Sequence, residues 1–243
     1  MPDLTRPGHL PPLRRVGHKG ADHVAPGNTF ESFQAALDLR VDMIEFDVLR
    51  LRDGRLVLAH DYEDAEGRAP PTLEEGLDHF ADDAYADTEL DVDLKLPGYE
   101  REVVEGIVAR GLADRVLIST QYLESLERLG ELAPQIRRGW SVPKVRRDYT
   151  KSVLAPVAYV WAQVMKRRLP GQAAELIRSG GAEALMSHFI LVSPALVRAV
   201  HEAGGQLYVW TVDDEKKIAW LESIGVDGVI TNDPRLFGDP AQM

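Results

Sequence analysis

The segment Met43–Val48 has the sequence MIEFDV and is the clearest strand candidate in the chain. It is apolar apart from two acidic residues, which is typical of a strand buried on both faces of a parallel sheet. Short apolar segments of the same kind recur on both sides of it. These further strand candidates are Leu13–Gly17, Leu56–Ala59, Leu90–Leu94, Val116–Ser119, Ile136–Trp140, Ala184–Ser187, Leu207–Val212 and Gly228–Thr231.

Helical patterns lie between these strands, so the chain predicts βα units that form either a closed barrel or an open doubly wound sheet. No GxGxxG follows the first strand and no GxxxxGK[S/T] occurs, which disfavours nucleotide-binding open sheets. Length and strand count favour an α/β fold of the (β/α)8 TIM-barrel type. We expect one domain over residues 1–243 with its core at about 14–236. The helix candidates are Thr29–Leu39, Thr72–Phe80, Tyr99–Arg110, Tyr122–Leu132, Gln172–Ser179, Pro194–Ala203 and Asp214–Ile224.

Composition excludes several classes of protein. The chain has 28 Lys and Arg against 39 Asp and Glu, a formal net charge of −11, which argues against non-specific binding of nucleic acid. It has no Cys, so disulfide scaffolds, thiolate zinc sites and cysteine nucleophiles are excluded. Neither a signal peptide nor an apolar run of about 20 residues is visible, so we expect a cytoplasmic protein.

Polar side chains cluster at the carboxyl ends of the strand candidates, where TIM barrels carry their chemistry. Any one of them alone is more often structural, and an acidic pair usually marks a solvated strand edge. Their convergence from successive strands favours a functional site. The residues are His18 and Lys19 after the first strand, Glu45 and Asp47 in the second, His60 after the short strand that follows, Asp93 and Lys95 in the next, and Trp210 near the chain end.

The spacing of the acidic residues indicates a metal site. Glu45 and Asp47 are two positions apart and therefore face the same side of a strand, as do Asp93 and Lys95. Like charges in a confined space need a cation to neutralise them. Carboxylate oxygens without sulfur suit one divalent cation of the Mg²⁺ or Ca²⁺ type better than zinc.

Short motifs occur in an order that is typical of one enzyme family. They are GHKG at 17–20, PGNT at 26–29, EFD at 45–47, HD at 60–61, PTLEE at 71–75, DLK at 93–95, VWTVD at 209–213 and GVDGVITN at 225–232. In this order and spacing they resemble the glycerophosphodiester phosphodiesterase family over about residues 16–234, nearly the whole chain. The resemblance implies a TIM barrel that hydrolyses glycerophosphodiesters to an alcohol and glycerol phosphate.

The chain departs from the family motifs at three positions. Gly27 replaces the Glu of the PENT motif, Lys19 replaces the Arg of HRG, and Asp93 replaces the Glu of ExK. The departures at Asp93 and Gly27 resemble sphingomyelinase D and phospholipase D-like barrels. The segment between His60 and Pro71 is also short where the family commonly inserts a small subdomain, so we expect an open pocket.

The resemblance also implies a role for each site residue. His18 and His60 would be the acid/base pair, working through a cyclic phosphate, and Lys19 and Lys95 would bind phosphate. Glu45, Asp47 and Asp93 would hold the metal. Trp210 would wall the pocket or belong to the core. Asn28 and Asn232 are weaker candidates, and Asn28 could instead cap the first helix.

Two alternatives to glycerophosphodiester hydrolysis stay open at this stage. One is a lipid-acting enzyme of the phospholipase D or sphingomyelinase D type, with lysophospholipids or sphingolipids as substrates. The other is a catalytically inactive binding barrel, against which the retained histidines and carboxylates argue. No obligate protein partner is inferred.

A basic segment interrupts the acidic chain. Residues 137–168 contain nine Lys and Arg and one Asp, and they enclose the apolar stretch Val153–Met165. Apolar residues flanked by basic ones suit peripheral contact with an anionic membrane surface. The alternative is a barrel helix packed on the core, with a basic rim that attracts anionic substrate.

Overall fold

The computed structural model describes residues 12–143 and 155–238. In these ranges the strands are β1 (Arg14–Gly17), β2 (Met43–Arg50), β3 (Leu56–Val57), β4 (Glu89–Leu94), β5 (Val116–Thr120), β6 (Arg137–Val142), β7 (Ala184–His188), β8 (Gln206–Trp210) and β9 (Gly228–Thr231). The α-helices are α1 (Phe30–Asp38), α2 (Tyr62–Glu66), α3 (Leu73–Phe80), α4 (Glu100–Ala109), α5 (Leu123–Leu132), α6 (Ala155–Arg178), α7 (Pro194–Glu202) and α8 (Glu215–Ser223).

The strands close into the predicted (β/α)8 barrel. Neighbouring strands pair in parallel in the order β1-β2-β4-β5-β6-β7-β8-β9, and β9 pairs with β1 to complete the ring. The segment Leu56–Ala59 does not join this ring as a parallel strand. Its first two residues form β3, which pairs antiparallel with the end of β2. The turn of the resulting hairpin contains Gly54, whose φ of +93° suits glycine.

Side chains along each barrel strand point alternately to the outer face, which is apolar, and to the inner face, which has both apolar and charged residues. On β2 the outward side chains of Ile44, Phe46 and Val48 are buried against the helices. The inner face begins with Met43, which packs in an interior apolar cluster with residues such as Val16 and Tyr208. Towards the carboxyl ends of the strands, acidic and basic side chains replace this apolar cluster. The polar end of the barrel is therefore the end that the sequence predicts to be functional.

Helix caps follow the local sequence. The Oγ1 of Thr29 accepts the backbone N–H of Ser32 at 3.2 Å, and the backbone N–H of Thr29 donates to the hydroxyl of Ser32. The two bonds form a capping box at the start of α1. Thr29, and not Asn28, therefore caps this helix. Ser193 caps α7 as its Ser-Pro sequence predicts, because its hydroxyl accepts the N–H of Leu196 at 3.2 Å.

Two helices differ from the sequence prediction. The five-residue α2 was not predicted, and its N-cap is Asp61, whose side chain accepts the N–H of Asp64. The helix expected at Gln172–Ser179 begins earlier, at Ala155, and runs through Pro170. Burial of Leu169 and Ala173 against the barrel holds the helix together on both sides of the proline, which lacks an N–H to donate.

Candidate functional site

Three buried carboxylates meet at the carboxyl ends of β2 and β4. Glu45 and Asp47 lie on the inner face of β2, and Asp93 lies on β4 directly beside Asp47 in the parallel register. One carboxylate oxygen from each residue lies within 4.8 Å of the others. The parallel register of β2 and β4 therefore brings the predicted metal-binding residues together.

Lys95 supplies a positive charge to this cluster. Its Nζ lies 2.5 Å from Oδ1 of Asp47 and 2.5 Å from Oδ2 of Asp93. Burial acts to lower the pKa of Lys95, but Asp47, Asp93 and Glu45 raise it well above its ordinary value. The ammonium group therefore stays charged and joins the two strands.

The β1–α1 loop supplies hydrogen-bond donors to two of the carboxylates, Asp47 and Glu45. The Nδ2 of Asn28 donates to Oδ2 of Asp47 at 2.8 Å, and the N–H of Asp47 donates to Oδ1 of Asn28 at 3.0 Å. The backbone N–H of Lys19 donates to Oε2 of Glu45 at 2.8 Å. Both loop residues have a positive φ, 50° for Lys19 and 57° for Asn28. This uncommon backbone turns their donors towards the acidic cluster.

The charges of the cluster fit a divalent cation. Burial, and next Asp47, raise the pKa of Glu45 well above its ordinary value. Additional positive charge beside Glu45 would therefore favour its ionised form. Three ionised carboxylates and the Lys95 ammonium sum to −2, which one divalent cation would neutralise. The atoms available to bind a metal ion are all carboxylate oxygens, the ligands that Mg²⁺ and Ca²⁺ prefer.

His18 is held in one orientation at the end of β1. Its Nδ1 lies 2.5 Å from Oδ1 of Asn232, an atom that only accepts hydrogen bonds, so Nδ1 carries the proton. The amide of Asn232 is fixed in turn by Asp213, whose Oδ2 accepts from Nδ2 at 2.7 Å. The Nε2 of His18 faces the cluster, 3.8 Å from Oε2 of Glu45. His18 thus presents an unprotonated nitrogen to the site.

The surroundings of His18 keep the ring neutral. Burial, with smaller contributions from Lys19 and Lys95, lowers the pKa of His18 to about 4, although Asp47 and the bond to Asn232 oppose the shift. At neutral pH the side chain is therefore able to accept a proton.

His60 lies outside the ring of barrel strands, in the segment between β3 and α2. It follows β3, its side chain is half exposed, and its Nδ1 lies 3.0 Å from Oδ2 of Asp61. It is nevertheless close enough to act on the cluster. Burial would raise the pKa of Asp47, yet Lys95, His60 and His18 hold that pKa well below its usual range.

A guanidinium group fixes the short segment that carries His60. Arg68 pairs with Asp64 at 2.9 Å, and it also donates to the carbonyl oxygens of Leu58 at 3.0 Å and Asn28 at 3.2 Å. Asp64 accepts the N–H of His60 at 3.0 Å. The chain leading to and from His60 is therefore tied to the β1–α1 loop.

Lys19 and Trp210 lie at the edge of the site. The Nζ of Lys19 pairs with Oδ2 of Asp22 at 3.3 Å. Trp210 is half-buried on top of the interior apolar cluster, and its Nε1 donates to the carbonyl of Met186 at 3.0 Å. Its position is compatible with both predictions for it, a wall of the pocket and a part of the core.

Several residues of the site were not predicted as such. Asp213 belongs to the VWTVD motif but has no distinguishing spacing, and Asp22, Asp64 and Arg68 lie in loop or short-helix sequence without a pattern. Asp91 is buried on the inner face of β4, two positions before Asp93. Burial raises the pKa of Asp91 to about 8, so it is largely neutral at pH 7. Alternation along β4 could have identified Asp91.

Comparisons with known proteins agree with the motifs. A model of the glycerophosphoryl diester phosphodiesterase family matches residues 18–79 and 63–236. The chain is 26% identical to a glycerophosphodiester phosphodiesterase from Caldanaerobacter subterraneus subsp. tengcongensis, over 90% of this chain and 93% of the relative. It is 28% identical to one from Arabidopsis thaliana, over 94% of this chain and 73% of the relative.

A solved structure shares the fold. A phosphodiesterase from Oleispira antarctica, determined in complex with the product sn-glycerol-3-phosphate, superposes with a TM-score of 0.66 at 22% identity. The match covers 93% of this chain and 94% of the other.

The lowered pKa of His18 predicts how the metal-free protein titrates and how its stability depends on pH. Titration of the His18 ring, followed by NMR, should give a midpoint near pH 4. Because the folded pKa lies below the unfolded value of about 6.5, the unfolded chain binds a proton that native His18 does not. Stability from this residue should therefore be lost as pH falls from about 6.5 towards 4, and His18→Gln should reduce that acid sensitivity. A midpoint near 6.5 would contradict the assignment.

Proposed function

The chain belongs to the glycerophosphoryl diester phosphodiesterase family, and on that premise we propose that it hydrolyses glycerophosphodiesters to an alcohol and glycerol phosphate. The observation that carries this proposal is the convergence of His18 and three buried carboxylates at the carboxyl ends of barrel strands. The family is one of phosphoric diester hydrolases, so the protein is an enzyme of that class. This membership and the complete set of acid/base and acidic residues argue against an inactive binding barrel.

The proposed chemistry uses His18 as the base. Its Nε2 accepts the proton of the glycerol hydroxyl next to the phosphate, and that oxygen attacks phosphorus while the bond to the alcohol breaks. His60 gives its proton to the departing alkoxide. The cyclic phosphate that results is opened by water with the two histidines in exchanged roles. Asn232 supports the first step because it keeps the proton of His18 on Nδ1.

A divalent cation, Mg²⁺ or Ca²⁺, would be held by Glu45, Asp47 and Asp93 in this proposal. When bound it supplies positive charge that stabilises the developing charge of the phosphoryl oxygens. Lys95 holds Asp47 and Asp93 in place and adds charge beside them. Lys19 at the edge of the site would bind the phosphate as a point charge, less directionally than arginine.

Metal dependence is tested first by chelation. Hydrolysis of glycerophosphocholine should stop in a chelator and return with Mg²⁺ or Ca²⁺. Glu45→Gln should weaken metal binding in calorimetry without unfolding the protein, since it relieves carboxylate repulsion.

Asp91→Asn is the matched control for that experiment. It changes a buried carboxyl on the same inner face that is already largely neutral at pH 7, so metal binding should stay as in the wild type. Full activity of the thoroughly chelated enzyme would overturn the metal assignment.

The two histidines are tested by substitution. His18→Ala and His60→Ala should each lower kcat by roughly 10²–10⁴-fold, the usual contribution of a positioned proton-transfer group. The double variant should lose less than the product of the two, because the residues act together. His201→Ala is the control, since His201 lies on α7 and pairs with Asp227 at 2.8 Å. Wild-type kcat in either single variant would remove that histidine from the mechanism.

We further propose that the pocket admits substrates with an acyl chain. Between β3 and α3 the structure contains only the five-residue α2, and His60 remains half exposed beside it. The expected result is a kcat/KM for a lysophosphatidylcholine at least equal to that for glycerophosphocholine. A strong preference for the deacylated substrate would restrict the enzyme to glycerophosphodiesters.

Contact of residues 137–168 with a membrane surface stays a prediction. Residues 144–154 lie outside the described residues, and so do the side chains of the first turns of α6. Arg167, Arg168 and Val164 are exposed, whereas Met165 packs against the apolar core, as the alternative interpretation of this segment expects. In the described part of the chain, every helix is too short or too polar to cross a bilayer. Sedimentation with vesicles that contain or lack anionic lipid tests the contact, and no difference between them would remove it.

A further inference from the structure

Asp22 connects the two turns of the β1–α1 loop. Its Oδ1 accepts the backbone N–H of Gly27 at 2.8 Å, and its Oδ2 lies 3.3 Å from Nζ of Lys19. One carboxylate thus pairs with a side chain of the GHKG turn that follows β1 and accepts a backbone hydrogen bond from the PGNT turn that precedes α1. The side chains of Asp22 and Lys19 are 29% and 21% exposed, so their ion pair lies at the edge of the site and is only partly open to solvent.

The carboxylate of Asp22 fills the space in which a side chain at position 27 would stand. A Cβ atom added to Gly27 would lie 2.5 Å from Oδ1 of Asp22 and 2.8 Å from Cβ of Lys19. Gly27 does not have the left-handed φ that would itself demand glycine. It is the neighbouring atoms, and not the backbone, that exclude a side chain here.

The backbone of Lys19 is fixed independently of Asp22. The backbone N–H of Lys19 donates to Oε2 of Glu45, and the carbonyl oxygen of Lys19 accepts a hydrogen bond from the hydroxyl of Ser32 at 2.7 Å. The four-carbon side chain beyond that point is flexible, and an ammonium group has no planar fork to orient it. The position of the Lys19 charge therefore depends on its anionic partner.

We propose that Asp22 is the positioning residue that holds the Lys19 ammonium at the substrate phosphate, supplying from position 22 the carboxylate that the PENT motif carries at position 27. This inference rests on the proposed function, because it assigns Lys19 to the phosphate. The Asp22 carboxylate also occupies the space of a side chain at position 27, where this chain has glycine.

A double-mutant cycle between Asp22→Asn and Lys19→Ala tests the positioning role. Asparagine keeps an oxygen for the N–H of Gly27 and removes only the charge. Asp22→Asn should raise the KM for glycerophosphocholine about 3- to 10-fold with kcat little changed, as expected when an interaction made with both substrate and transition state is lost. In the Lys19→Ala background the same change should have no further effect. A wild-type KM for Asp22→Asn, or effects that multiply in the double variant, would overturn the proposal.

Exchange of the two positions tests the geometry without an activity assay. Gly27→Glu alone should lower the Tm by about 5 °C, because its Cβ collides with the Asp22 carboxylate. Asp22→Ala with Gly27→Glu should recover part of this loss of Tm, since the alanine vacates the space of the Asp22 carboxylate while the Cβ of Lys19 stays 2.8 Å from the new Cβ. A Tm for Gly27→Glu equal to wild type, or no recovery in the exchange variant, contradicts the proposed arrangement.

These outcomes separate the inference from the function on which it rests. If the wild-type enzyme hydrolyses no glycerophosphodiester, the proposed function fails whatever the Tm values are. If the wild type is active and the cycle shows independent effects, only the role of Asp22 fails.

Discussion

Repulsion among three buried carboxylates is the constraint on which the rest of the site depends. Glu45, Asp47 and Asp93 place oxygen atoms within 4.8 Å of one another in a part of the barrel with little solvent. Charges of one sign in such surroundings repel strongly, because the local dielectric is low. The structure offsets the repulsion with the ammonium of Lys95, the amide of Asn28 and the backbone N–H of Lys19. What remains is an excess of negative charge that suits a divalent cation.

The same constraint accounts for the unusual backbone of the β1–α1 loop. Two non-glycine residues, Lys19 and Asn28, adopt a left-handed φ, which costs free energy at each position. Each of them donates to a carboxylate of the cluster, so the local strain is offset by charge-assisted hydrogen bonds. Gly20, between them in the chain, is required because a Cβ would come within 2.6 Å of Ser32. Loop strain and the acidic cluster are therefore parts of one arrangement.

Much of the barrel and of the acidic cluster could be predicted from the sequence, because both follow from periodicity. Alternation along a strand puts Glu45 and Asp47 on one face, and the apolar runs identify the barrel strands. Partners from loops could not be predicted in this way. The contact between Asp22 and Gly27, and that between Arg68 and Asn28, depend on how irregular backbone turns in space. The antiparallel direction of β3 was missed for a related reason, since two apolar residues carry no information about direction.

The two histidines are attached to parts of the molecule that differ in how firmly they are held. His18 extends a barrel strand, and its backbone N–H bonds the carbonyl of Thr231 at 2.8 Å on the neighbouring β9. His60 depends on a two-residue strand, one short helix, the small apolar cluster of Leu49, Val57, Ala59 and Ala65, and the bonds of Arg68 to that segment. Segments outside the main sheet with so little regular secondary structure are typically the ones that open locally, below the free energy of global unfolding. With His60 in its proposed role, we expect warming to displace it while the barrel is still folded, so that turnover would be lost before the circular dichroism of the barrel.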